Sequence, residues 1–98
     1  MYIVRDIFHL KFGHYRDAKS LLEDANKQGI LPEAQNMRIL SDFTGEAYRL
    51  IFEEGHNTMA DYEQFLGESM STAEWQEWYE QFKQHVHHSE REILKQVM

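Results

Sequence analysis

The chain has 98 residues, no cysteine, one proline and a formal net charge of −7. This excludes disulfide scaffolds, thiolate chemistry and cysteine-ligated metal, and it argues against a disordered tract. Residues 1–49 carry seven Lys/Arg against seven Asp/Glu, whereas residues 50–98 carry three against ten, so the acidic half opposes a phosphate backbone and no nucleic-acid partner is expected. A chain this short makes one domain, 1–98, that buries about 60–65% of its unfolded surface. No stretch is apolar for long enough to span a membrane, and no basic segment leads into an apolar run of signal-peptide length. A cytoplasmic protein without membrane contact is the expectation, and the lack of cysteine agrees with a reducing compartment.

From Tyr2 to Phe12 the residues alternate. Tyr2, Val4, Phe8, Leu10 and Phe12 share one parity, interrupted only by Asp6, while Ile3, Arg5, Ile7, His9 and Lys11 share the other. Period two predicts a strand with one apolar face and one mixed face. After Gly13 the period changes: Tyr15, Ala18, Leu21, Leu22 and Ala25 recur at helical spacing, and Gly29 supplies the stop. Pro32 prevents continuation, and a second strand is predicted over Asn36–Phe43, with Thr44-Gly45 turning the chain into a third over Ala47–Glu54. Tyr48, Leu50 and Phe52 repeat the apolar face of the first strand, and Ala47, Arg49, Ile51 and Glu53 repeat its mixed face.

Thr58 with Asp61 reads as a helix N-cap ahead of Met59, Tyr62, Phe65 and Leu66, with a break expected at Gly67. Ser71 and Glu74 read as a capping box ahead of Trp75, Trp78, Tyr79 and Phe82. A fourth strand is predicted over Ser89–Val97. The order strand, helix, strand, strand, helix, strand is the split βαβ or ferredoxin-like plan, an α+β fold. Right-handed crossovers put the helices on one face of an antiparallel four-stranded sheet, with the first strand beside the third. Ile3, Ile7 and Ile51 then need a cover on the other face, and a second copy of the chain is the simplest one, so a homodimer is expected.

His9, Arg5, Arg49 and Glu53 all have the parity of the mixed face. There His9 would serve as a base, Arg49 would stabilise an anion and Glu53 would orient either, with Arg5, Ile7 and Ile51 lining the same cavity. Against this stands a plainer arrangement, in which the charges form interfacial ion pairs. Trp75, Trp78 and Tyr79 could wall a pocket for a planar ligand, although such a stripe is more often core. Among His85, His87 and His88 only the first and last have helical ligand spacing, and no carboxylate–histidine pattern accompanies them, so no metal site is expected. Phe8, Tyr48 and Phe52 fall on the helix-covered parity, which argues against rings stacking on RNA bases. No phosphate loop, dinucleotide fingerprint or Ser-His-Asp pattern is present.

A ferredoxin-like chain that opens with Phe8-His9-Leu10-Lys11-Phe12-Gly13 and runs into an amphipathic helix resembles the dimeric α/β-barrel superfamily. Its members include NIPSNAP-like, stress-responsive and antibiotic-biosynthesis-monooxygenase-like proteins, and Leu10-Lys11-Phe12-Gly13 is most similar to the NIPSNAP type. The resemblance implies two sheets from two subunits closing into a barrel. It also implies a small-molecule pocket, either between each sheet and its helices or inside the barrel. Haem-degrading relatives use a tryptophan, a histidine and a first-strand asparagine. Trp75 and His85 are present here but that asparagine is not, so no cofactor is expected. The functional expectation is a protein holding a small hydrophobic or aromatic molecule, with cofactor-independent oxygenation or related proton transfer as its chemistry if it is catalytic. The alternative is a non-catalytic stress-response or interaction dimer, since the fold alone does not settle activity.

Overall fold

The computed structural model describes residues 1–98 throughout. The elements run β1 (Tyr2–Leu10), α1 (Tyr15–Gln28), β2 (Gln35–Ser41), β3 (Arg49–His56), α2 (Met59–Ser69), α3 (Ala73–Lys83) and β4 (Val86–Lys95). The sheet order is β2-β3-β1-β4, and each neighbouring pair is antiparallel. This is the ferredoxin-like arrangement, with the second helical region split in two. Alternation placed the core correctly: Phe8 and Leu10 of β1 join Leu50 and Phe52 of β3 beneath Ala18, Leu22 and Ala25 of α1 and Trp75, Trp78 and Phe82 of α3. Phe82 is fully buried, with the Phe8 ring edge-on to it at 5.2 Å.

Several boundaries differ from the sequence expectation, each for a local reason. Helix α2 runs through Gly67, which is open on its Cβ side, and ends only at the Met70 cap. A single exposed glycine weakens a helix by about 1 kcal/mol but does not by itself end one. The following helix is capped by Thr72, not Ser71, because the Thr72 hydroxyl accepts from the Trp75 amide at 3.3 Å. Strand β3 begins at Arg49, since Ala47 and Tyr48 both take positive φ and leave the extended region. The connection from β2 is therefore a loop over residues 42–48, not a tight turn at Thr44-Gly45.

A bulge sits near the start of β4: His9 pairs with His88, but Leu10 pairs with Val86, leaving His87 as the extra residue. Val86 and His88 share a strand parity, yet Val86 packs against the core while His88 stands opposite His9 of the mixed face. One inserted residue re-aims everything that follows it along β4.

Candidate functional site

The register assembles the mixed face in rows. Arg38, Glu53, Arg5 and Glu92 lie across the four strands in alternating sign. The Glu53 carboxylate accepts from Arg5 Nη2 at 2.9 Å and is also bonded to Arg38, and Arg5 reaches Glu92 at 3.7 Å. Hydrogen bonding to Arg38, followed by that to Arg5, holds the Glu53 carboxyl below its ordinary range despite its burial. The next row is Leu40, Ile51, Ile7 and Glu90. Ile7 is only 6% exposed, so it is largely covered without a partner, whereas Leu40 is 39% exposed.

His9 and Arg49 are direct cross-strand neighbours, as the sequence parity implies. Arg49 is not free to receive an anion, because its Nε and Nη2 both donate to Asp42, at 3.0 and 2.8 Å. That fork lowers the Asp42 pKa, chiefly through the Arg49 hydrogen bond, and raises that of Arg49. The register thus brings His9, Arg49 and Glu53 onto one face but gives two of the three a standing salt-bridge partner.

The opposite face holds a different polar group that the parity argument passed over. Asp6 and Glu54 interrupt the apolar, helix-facing parity of β1 and β3. Arg91 of β4, directly across from Asp6, donates to its carboxylate at 2.6 Å. Glu54 has no such donor. Burial, then the charge of Asp6, pushes its carboxyl up to about 7, with Arg91 opposing. His56 Nε2 lies 3.7 Å from the Glu54 carboxyl, and burial lowers the His56 pKa. His56 Nε2 and the Tyr62 hydroxyl are both buried without a hydrogen-bond partner. A small cavity of about 20 Å³ lies against Glu54, walled by Asp6, Phe52, Phe65, Met70 and Trp75. Pro32 and Met37 line both this cavity and an open groove of about 850 Å³ between α1 and the β2 edge, whose apolar wall includes Tyr15, Leu22, Leu31, Ile39 and Leu50. A carboxylate on an otherwise apolar strand face was the one sequence signal that could have pointed here.

Solved structures with this shape allow a comparison. A NIPSNAP domain protein from Burkholderia xenovorans matches with a TM-score of 0.88 over 99% of this chain and 95% of its own, at 13% identity. A NIPSNAP family protein from Agrobacterium tumefaciens matches with a TM-score of 0.87 over 98% of this chain and 85% of its own, at 16% identity. The chain has the fold of the NIPSNAP domain proteins. An antibiotic biosynthesis monooxygenase matches less closely, with a TM-score of 0.72 and 12% identity over the full length of both chains. No protein-family model matches the sequence, and no curated protein does. At such identities the likeness carries the fold alone.

In this NIPSNAP-type fold the predicted ligand residues divide between the two faces of the sheet. Arg5, Ile7 and Ile51 belong to the mixed face, whereas Trp75 and Trp78 are buried on the helix side. Trp78 is a core residue, stacked on Phe82 at 5.0 Å and donating its indole N–H to the Leu21 carbonyl at 3.0 Å. Tyr79 stacks on Trp75 at 5.6 Å, and of the three aromatics only Trp75 borders the cavity beside Glu54. The histidines also sort differently from their spacing. His85 pairs with His14, their Nδ1 atoms 2.9 Å apart, and His88 stacks on His9, with ring centroids 4.1 Å apart. Both pairs are cross-element, so no spacing within the segment 85–88 could reveal them.

Proposed function

We propose that the chain binds a small hydrophobic or aromatic molecule in the groove between α1 and the sheet, pairs with a second copy through the mixed face, and uses Glu54 as a proton acceptor. The carrying observation is the Glu54 carboxyl, raised to about 7 beside a cavity that shares its Pro32 and Met37 walls with the groove. A group with that pKa is present as both acid and base near neutrality, which suits it to take a proton and return it. A phenol or an enolisable carbonyl compound is the ligand class that offers such a proton while filling an apolar groove. Removing that proton is the opening step shared by cofactor-independent oxygenation and by isomerisation. Dimerisation is supported by the partly exposed Leu40 and Leu94 flanking Ile51 and Ile3 on the mixed face.

A non-catalytic interaction dimer is the second reading, and one observation favours it: Arg5, Arg38 and Arg49 are all paired with carboxylates of their own chain. On that reading His9 fills space at the interface; on the mixed-face catalytic reading it is the base, and His9→Ala would abolish turnover. Light scattering across a dilution series, followed by calorimetric titration with 1-naphthol, separates the readings. The proposal expects twice the 11.8 kDa chain mass and saturable binding that Met37→Lys abolishes. A dimer with no saturable binding leaves the interaction reading, and a monomer refutes both.

A further inference from the structure

His9, His88 and Glu90 come from β1 and β4, on the side of the sheet away from Glu54, and take no part in the groove. Their donor atoms all lie within 4.8 Å of one another. We propose that these three side chains bind one divalent transition-metal ion on the mixed face.

Backbone register builds the site. His9 and His88 are directly opposed across the β1–β4 ladder, and Glu90 is two residues further along β4, hence on the same face as His88. The bulge at His87 is what puts His88 there, because without it His88, two residues from the core-facing Val86, would share the core face. The two imidazoles lie nearly parallel, 10° apart. Their Nε2 atoms converge on the same oxygen: Glu90 Oε1 is 3.2 Å from His9 Nε2 and 3.4 Å from His88 Nε2.

Those separations fit a coordination polyhedron. Two ligand atoms each about 2.1 Å from a metal are about 3.4 Å apart at a tetrahedral angle and about 3.0 Å apart at a right angle. The two nitrogen–oxygen distances fall within those limits. The stacked rings direct their Nε2 lone pairs along parallel planes, so binding requires the imidazoles to turn about their side-chain bonds toward one ion, with little movement of either strand. Two imidazoles and one carboxylate select Zn²⁺, Co²⁺ or Fe²⁺ over Mg²⁺, which prefers oxygen. Three protein ligands leave at least one position for water or an exogenous ligand.

A fourth residue stands beside the set. Glu46 Oε2 lies 3.6 Å from His9 Nδ1, across the ring from Nε2. A carboxylate in that position, once it closes to hydrogen-bond distance, is the usual outer support of a metal-bound histidine, leaving Nε2 for the metal. The His14–His85 pair is the competing location, but no carboxylate stands with it in a ligand cluster. In the free chain the His88 and Glu90 side chains are 51% and 57% exposed, so solvent delivers the ion before the mixed face pairs with a second copy.

The test is Co²⁺ binding to the chelator-treated full chain, followed by equilibrium dialysis and by visible ligand-field absorption. We expect one Co²⁺ per chain, displaced by Zn²⁺ and not by Mg²⁺. His88→Ala and Glu90→Gln each weaken binding by at least about tenfold, and His85→Ala leaves it unchanged. Circular dichroism checks folding, and the exposed Glu90→Gln keeps the test decisive if His88→Ala misfolds. Absence of saturable uptake overturns the proposal. So does uptake unaffected by His88→Ala and Glu90→Gln, uptake removed by His85→Ala, or displacement by Mg²⁺ as effective as by Zn²⁺.

Discussion

Replacing Glu54 by Gln isolates the buried carboxyl at the centre of the proposed chemistry. Gln keeps the shape of the protonated acid but cannot ionise. Raising the carboxyl from 4.5 to about 7 separates its two protonation states by ~3 kcal/mol, and solvent reaching the side chain reduces this to on the order of 2 kcal/mol. The sign follows from which form the fold prefers. The folded chain holds the proton more tightly than the unfolded chain, so this contribution is complete below 4.5 and is lost as pH rises through about 7. Wild type should therefore lose roughly 2 kcal/mol between pH 4 and pH 8 that Glu54→Gln retains, with the two nearly equal at pH 4. His56, whose pKa burial lowers, contributes with the opposite slope, and because its Nε2 lies 3.7 Å from the Glu54 carboxyl the same comparison is repeated in a His56→Gln background to remove their coupling. Urea unfolding at both pH values, at one fixed protein concentration, measures the gap. Parallel stability profiles for the two proteins would refute the raised pKa and remove Glu54 as a proton acceptor.

The remaining predictions bear on other parts of the molecule. Thr72→Ala should cost about 1 kcal/mol of stability and Ser71→Ala clearly less, because only Thr72 accepts from a helix amide; thermal unfolding of both variants compares them. Glu53→Gln should flatten the acid limb of the stability profile. Its carboxylate contributes stability above 4.5 that is lost as pH falls through the lowered value, and acid titration followed by circular dichroism reads the change. Leu40→Lys, at a half-exposed position of the mixed face, should shift the proposed dimer to monomer in light scattering without lowering helix content. An unchanged dimer would move the interface elsewhere.

The period of the apolar residues determined the most by itself. Alternation over Tyr2–Leu10 and the i, i+4, i+7 spacing of Ala18, Leu22 and Ala25 sufficed for the element order, the core face and the ferredoxin-like plan, because each strand and helix must bury one face. Parity also placed His9, Arg49 and Glu53 on one side of the sheet. It could not say that Asp42 occupies Arg49, or that Arg5 and Arg38 both hold Glu53, since those pairings depend on register and loop path. Helix ends at Gly67 and Ser71 were misplaced because capping is decided by hydrogen-bond geometry that neighbouring hydroxyls compete for. Only the tertiary structure decided the two polar clusters. Glu54 acquires its raised pKa from burial beside Asp6, residues 48 apart in the chain. His9 meets His88 only because one bulged residue flips the face of β4, and a one-residue shift in a strand leaves no trace in hydrophobic periodicity when the flanking residues are histidines and charges.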